Sequence, residues 1–278
     1  MRQLFDDVSS ECSKITTNRY STSFSSAIGL LNKDLQTAIY HIYGFVRFAD
    51  EIVDTFHEFN KTQLLEEFKK DTYLAFERGI SLNPILNSFQ LVVNQYNIEH
   101  ELVKAFFRSM ELDLTQQSYD DKGYREYIYG SAEVVGLMCL HVFCNGNKEM
   151  YLKLKPSAQS LGAAFQKVNF LRDVKADSQK LERVYFPGVD FNHFTKEMKI
   201  SIEHDIQTDF NDALKGIAQL PSTSKFGVYV AYQYYLSLFK KIQQTSPNRL
   251  LEKRIRINNI YKTFIIIRAG FNNRLGIL

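Results

Sequence analysis

Apolar residues recur every three to four positions along almost the whole chain, and the period-two alternation of a half-buried strand is nearly absent. That spacing predicts helices over roughly residues 34–56, 61–78, 84–95, 98–116, 123–145, 157–180, 196–219, 223–244 and 248–268. All five prolines, Pro84, Pro156, Pro187, Pro221 and Pro247, fall at or near the joints between these segments. Proline fits the first turn of a helix and breaks its interior, so the placement agrees with the boundaries. No internal repeat, low-complexity tract or Gly/Pro/Ser-rich linker divides the segments. Residues 1–278 are therefore expected to form one all-α domain.

Composition narrows the function classes. At 45% hydrophobic residues the chain has ample core, which excludes a fully disordered protein. Its 22 Phe and 16 Tyr mostly serve that core, but collectively they can line a long apolar cavity whose ring faces favour a cation. The formal charge is only +3, and the basic cluster Arg249, Lys253, Arg254 and Arg256 is interrupted by apolar residues, so no nucleic-acid partner is expected. Cys12, Cys139 and Cys144 have neither disulfide-framework nor zinc spacing, and the six histidines form no HExxH pair. "MRQLFDDVSSEC" carries acidic residues by position 6 and does not read as a secretory signal. "FIIIRAGF" is broken by Arg268 and too short to span a bilayer. A cytoplasmic location is expected. The basic, apolar "KRIRINNIYKTFIIIRAGF" reads either as a peripheral membrane contact or as ordinary bundle packing.

The candidate chemistry lies in two acidic motifs. In "FVRFADEIVD", Asp50 and Asp54 are four apart, one helical turn above each other, and Arg47 joins their face. "QKVNFLRDVKAD" repeats the pattern: Asp173 and Asp177 are four apart, Asn169 and Gln166 extend the face upstream, and Arg172 sits beside it. Stacked carboxylates repel, so such pairs usually want a cation. Magnesium suits oxygen ligands of this kind and bridges carboxylates to substrate phosphates. One such pair is ordinarily a solvated face. Two, each beside an arginine and each inside an otherwise apolar helix, point to a metal–diphosphate site between facing helices of a bundle.

The stretches "YSTSFS", "YGFVRFADEIVD", "YIYGSAEVVGLM", "LGAAFQKVNFLRDVKAD" and "ERVYFP" together resemble the squalene/phytoene synthase family of head-to-head prenyl transferases. The resemblance implies a single-domain, all-α isoprenoid-synthase bundle around a central cavity. By that likeness Asp50 and Asp54 form one metal motif, and Asn169, Asp173 and Asp177 the other, holding Mg2+ (or Mn2+) on diphosphate. Ser21, Ser23, Phe24, Arg47, Arg172 and Tyr185 match substrate-contacting or supporting positions, as do Tyr234 and Arg249 in a looser alignment near the C-terminus. Gln166 matches a polar position near the reacting carbons, and Tyr43 and Tyr127 match aromatic positions of the site. Thr22 stands where the family often carries a basic residue.

The implied reaction is condensation of two prenyl diphosphates through a cyclopropyl diphosphate. "SAEVVGLM" looks more like phytoene synthases, which join two geranylgeranyl diphosphates, are expected to need no nicotinamide cofactor and pass product to downstream carotenoid enzymes. The alternatives are a squalene or dehydrosqualene synthase using two farnesyl diphosphates, and a non-catalytic lipid-binding or assembly protein of the same fold. The last would be expected to have lost aspartates from these motifs.

Overall fold

The computed structural model describes residues 1–116, 118–180 and 184–274, with the side chains of 175–180, 192 and 272–274 excepted. Thirteen α-helices are found among them: α1 (Arg2–Tyr20), α2 (Thr22–Ile28), α3 (Lys33–Asp54), α4 (Lys61–Arg78), α5 (Pro84–Tyr96), α6 (His100–Thr115), α7 (Asp121–Ile128), α8 (Val134–Cys144), α9 (Lys148–Lys180), α10 (Lys196–Ile217), α11 (Ser222–Gln243), α12 (Pro247–Glu252) and α13 (Asn259–Arg274). No strand occurs among the described residues beyond a single parallel bridge between Ser118 and Val184.

The helix starts follow from local chemistry. Asn32, Asn60, Asn83 and Thr195 each accept a backbone N–H of the first turn of α3, α4, α5 and α10, supplying partners that the helix itself lacks. Gly79 and Asn97 close α4 and α5 in the left-handed conformation that glycine and asparagine tolerate best. Helix α3 buries Leu35, Ala38, Ile42, Phe45, Ala49 and Ile52, a run at three- and four-residue spacing. Phe45 stacks on Phe89 of α5 at 3.8 Å between ring centroids, with Phe68, Phe106 and Phe107 packed around it. This aromatic cluster fixes the outer side of α3, and the opposite side faces the cavity.

Two helices escape the hydrophobic pattern. The buried positions of α1 are Ser9, Ser13 and Thr17, whose hydroxyls bond the preceding turn's carbonyls or the Ser88 hydroxyl, while Leu4, Val8 and Ile15 point outward. The small serines let α3 approach: a Cβ on Gly44 would come within 2.6 Å of the Ser13 hydroxyl. The short α2 carries a single clearly apolar turn.

Three expected boundaries are corrected. Helix α9 begins at Lys148 rather than 157 and runs through Pro156. The proline removes one N–H bond, to the carbonyl of Leu152, a residue on the exposed side of the bundle. The 123–145 segment contains a π-helical turn, Tyr129–Glu133, between α7 and α8. The 248–268 segment breaks at 253–258: Lys253 is extended, and the Arg256 carbonyl accepts from Lys241 Nζ at 2.7 Å instead of continuing a helix.

Among the described residues one helical stretch, Asp121–Cys144, is long and apolar enough to cross a membrane, with mean hydropathy 1.4. Of its most apolar 18 residues 56% are buried within the bundle, where α8 packs on α3, α6 and α9, so core packing accounts for its composition.

Candidate active site

A cavity of about 610 Å³ runs between α2, α3, α8, α9 and α11. The π turn lies on its wall, with Ser131 and Ala132 facing inward. There α9 passes so close that a Cβ on Gly162 would meet the Ala132 carbonyl oxygen at 2.6 Å. Insertions of this kind concentrate at functional sites because they re-aim side chains within a continuous helix.

Described residues of both acidic motifs face this one cavity. Asp50 and Asp54 project from the end of α3, and Asn169 and Asp173 from α9. Burial, then the neighbouring Asp54, pushes the Asp50 carboxyl up to about 7; Arg47 opposes the rise and Asp113 adds to it. Asp173 is held by two arginines. Arg172 reaches it with Nη2 at 2.6 Å and Nε at 3.1 Å, and Arg254 with Nε at 2.7 Å. Arg47 pairs with Glu51, packs over the Tyr20 ring at 4.4 Å and keeps a buried Nε with no hydrogen-bond partner. That orphaned donor on the cavity wall is suited to an anionic oxygen.

The remaining wall is apolar and aromatic. Phe165 stacks on Tyr235 at 3.9 Å, and Phe24 packs edge-on or tilted against Phe165, Tyr235 and Tyr43. The Tyr235 hydroxyl lies 3.3 Å from Asn169 Oδ1, and Gln166 Nε2 donates to the Ser131 hydroxyl at 3.4 Å. Burial, with the Asp50 charge second, lifts the Tyr43 phenol to about 12, so it stays protonated. At the other aromatic cluster Tyr185 stacks on Phe170 at 3.9 Å, and the Tyr127 hydroxyl donates to Asp113 at 2.8 Å.

Of the residues singled out in the sequence, Ser21, Phe24, Tyr43, Arg47, Asp50, Asp54, Tyr127, Gln166, Asn169, Arg172, Asp173 and Tyr185 line the cavity. The Asp177 side chain lies outside the described residues, as do Glu182 and Arg183. Three others are placed elsewhere. Tyr234 is buried in the core, because neighbouring helical positions diverge by about 100° and Tyr235 takes the inward one. Arg249 points to solvent from α12 while Leu250 packs inward, and the basic residue that reaches the site is Arg254. Ser23 is turned away by the tight start of α2, where Ser21 caps the Phe24 N–H at 3.2 Å.

Sequence reasoning missed Asp113, Tyr235, Arg254 and Tyr20. Asp113 had a readable signal: it is a lone carboxylate at the buried register of α6, in line with Leu102, Phe106 and Met110. Where the family often has a basic residue, the Thr22 hydroxyl accepts from Lys262 Nζ of α13 at 2.8 Å, so a cation does stand there.

The squalene/phytoene synthase family model matches residues 17–200, which include both acidic motifs. The chain belongs to this family. Among curated relatives it is 26% identical to a 4,4'-diapophytoene synthase of Staphylococcus haemolyticus over 68% of this chain and 66% of that one. It is 23% identical to phytoene synthase 1 of Solanum lycopersicum over 90% of this chain and 65% of that protein. The chain thus spans about two thirds of the length of these relatives. Among solved structures it superposes on a dehydrosqualene synthase with a TM-score of 0.81 at 18% identity, covering 97% of this chain and 98% of the other. A squalene synthase from Alicyclobacillus acidocaldarius gives 0.74 at 17% identity, covering 89% and 95%. The isoprenoid-synthase fold expected from the sequence is therefore the fold observed, and the family condenses prenyl diphosphates head to head.

Proposed function

We propose that the chain is a phytoene synthase, joining two geranylgeranyl diphosphates. The observation that carries a condensing activity is the convergence of Asp50 and Asp54 of α3, Asn169 and Asp173 of α9, and three arginines on one cavity whose other walls are apolar and aromatic. A prenyl diphosphate ionises only as fast as the charge on its leaving group is neutralised, and the allylic cation left behind survives only where no nucleophile or water intercepts it. Arg47, Arg172 and Arg254 supply fixed positive charge for the first task. The rings of Phe24, Phe165 and Tyr235 supply an inert, cation-tolerant wall for the second. C1 of the ionised chain is then attacked by the alkene of the second substrate, and closure of the three-membered ring gives up a proton to the released diphosphate, leaving a cyclopropyl diphosphate. Loss of its diphosphate and rearrangement give a 1–1′ linked cation, which yields a second proton to diphosphate and becomes the hydrocarbon.

The donor set suits a divalent ion. It is built of oxygens, and burial and the charges of Asp54 and Asp113 burden Asp50, a burden that a cation relieves. Among the described residues, which leave out the Asp177 side chain, no group of three or more His, Cys, Asp or Glu that could hold a metal ion is found. Asp50, Asp54, Asn169 and Asp173 would hold magnesium there. When bound, it would add electrostatic stabilisation of the departing diphosphate.

Relatives named phytoene synthase that match 84–93% of this chain support geranylgeranyl diphosphate as substrate. The relative named 4,4'-diapophytoene synthase favours the shorter farnesyl diphosphate as the second reading. Incubating the protein with magnesium and each diphosphate, without a nicotinamide, and identifying the hydrocarbon decides between them. Phytoene is the expected product, and an exclusively C30 product would overturn the assignment.

A further inference from the structure

Helix α13 presents an outward stripe that no part of the described bundle covers. Ile260, Phe264, Ile267 and Phe271 follow one another at four-, three- and four-residue spacing and are 83%, 55%, 53% and 63% exposed. Their opposite face, Ile265 and Ala269, is buried where the helix packs on α11. The stripe presents on the order of 400–500 Å² of contiguous apolar surface, the size of the largest patch on a typical monomer, which often serves a function.

Charge identifies the partner. Residues 253–278 contain six Lys and Arg and no Asp or Glu, so the remaining 252 residues carry a net charge of −3 against the chain's +3. Lys253 and Arg256 are exposed in the connector that leads into the stripe, and Arg268 lies at its edge with Nη2 donating to Gln233 of α11 at 3.1 Å. An apolar ridge bordered by exposed basic side chains is the arrangement that seats a helix at the surface of an anionic bilayer, with rings in the acyl boundary and cationic groups among headgroup phosphates. A second copy of the chain fits less well, because a twofold contact through α13 would set two basic segments against each other.

We propose that the outward face of α13 docks this protein on the surface of an anionic phospholipid bilayer. The placement gives the contact a use. Lys262, on the inner side of α13, bonds Thr22 beside the cavity-lining Ser21, and Arg254, five residues before α13, lines the cavity itself. The helix that carries the docked face therefore lies next to Ser21 and Arg254 of the cavity wall, so docking would bring that wall close to the bilayer that holds long-chain lipids. The docked surface is the same whichever prenyl diphosphate is the substrate.

The chain contains no tryptophan, so Phe264→Trp gives a single reporter on the stripe. With full-length protein at low salt, its emission should shift to the blue on phosphatidylcholine vesicles containing about 30% phosphatidylglycerol, and much less on phosphatidylcholine alone. In flotation assays the wild type should rise with the anionic vesicles. The Ile260→Ser/Phe264→Ser/Phe271→Ser variant should lose at least tenfold in binding with its melting temperature unchanged, and Arg256→Glu/Arg268→Glu should lose the preference for anionic lipid. Wild-type protein that stays off anionic vesicles, or a triple variant that floats as well as wild type, would overturn the proposal. So would a dimer, seen by light scattering, that the triple substitution dissolves, since the occupant would then be a second copy.

Discussion

Replacing Asp50 by asparagine should stabilise the metal-free protein while destroying its chemistry. Burial, with help from Asp54 and Asp113, raises the Asp50 carboxyl from 3.8 to about 7. Between those values the folded chain holds a proton that the unfolded chain has released, so stability falls as pH rises through the window and levels off above it. Three pH units at 1.36 kcal/mol each set an upper bound of about 4 kcal/mol, and because the carboxyl borders a cavity that water enters, about 2 kcal/mol is the better expectation at pH 8. Asparagine keeps the shape and removes the charge. Urea unfolding of wild type and Asp50→Asn in chelator should show the variant more stable at pH 8 and the gap narrowing toward pH 4. A variant that is less stable than wild type at pH 8, or a gap independent of pH, would refute the claim that an uncompensated carboxylate is stored in this wall.

Other consequences are as direct. Asp173→Ala should lower kcat by at least a thousandfold with circular dichroism unchanged, because it removes one wall of the diphosphate site rather than a core contact; retained turnover would detach α9 from the chemistry. Burial holds the His41 imidazole down near 4, the ring meeting the Ser10 hydroxyl at 2.9 Å. Its stabilising contribution is full above the unfolded value of 6.5 and is lost as pH falls toward 4, by about 3 kcal/mol in all; His41→Gln should flatten that part of the pH–stability curve. Gly162→Ala should cost roughly 1–3 kcal/mol in denaturant unfolding, since its methyl would press on the Ala132 carbonyl. A neutral effect would mean the π turn gives way freely.

The helices and the acidic face were legible because both depend on spacing. Apolar residues at three and four apart have to share a face, and so do Asp50 and Asp54 on α3. Helix α1 was not legible: its buried face is made of hydroxyls, which satisfy themselves on the preceding turn and leave no hydrophobic signature. Pro156 misled because one missing N–H bond within a 33-residue helix is offset by the packing of α9 against α8 and α10. Tyr235 and Arg254 stood close to the chosen Tyr234 and Arg249, but a residue's direction depends on helix phase and on the break at 253–258, which no pattern of single residues records. Asp113 is readable as a carboxylate at a buried register of α6, but its partners, Tyr127 and Asp50, come from other helices and appear only in the fold.

The central claim is that the carboxylates of α3 and α9 act together, through a divalent cation, on one diphosphate. Binding of geranylgeranyl thiolodiphosphate, a slowly ionising analogue, should be measured with and without magnesium for wild type, Asp50→Ala and Asp173→Ala. The account predicts at least tenfold tighter binding with magnesium in wild type and loss of that gain in each variant. Magnesium-independent affinity in wild type, or a gain that survives both substitutions, would contradict it.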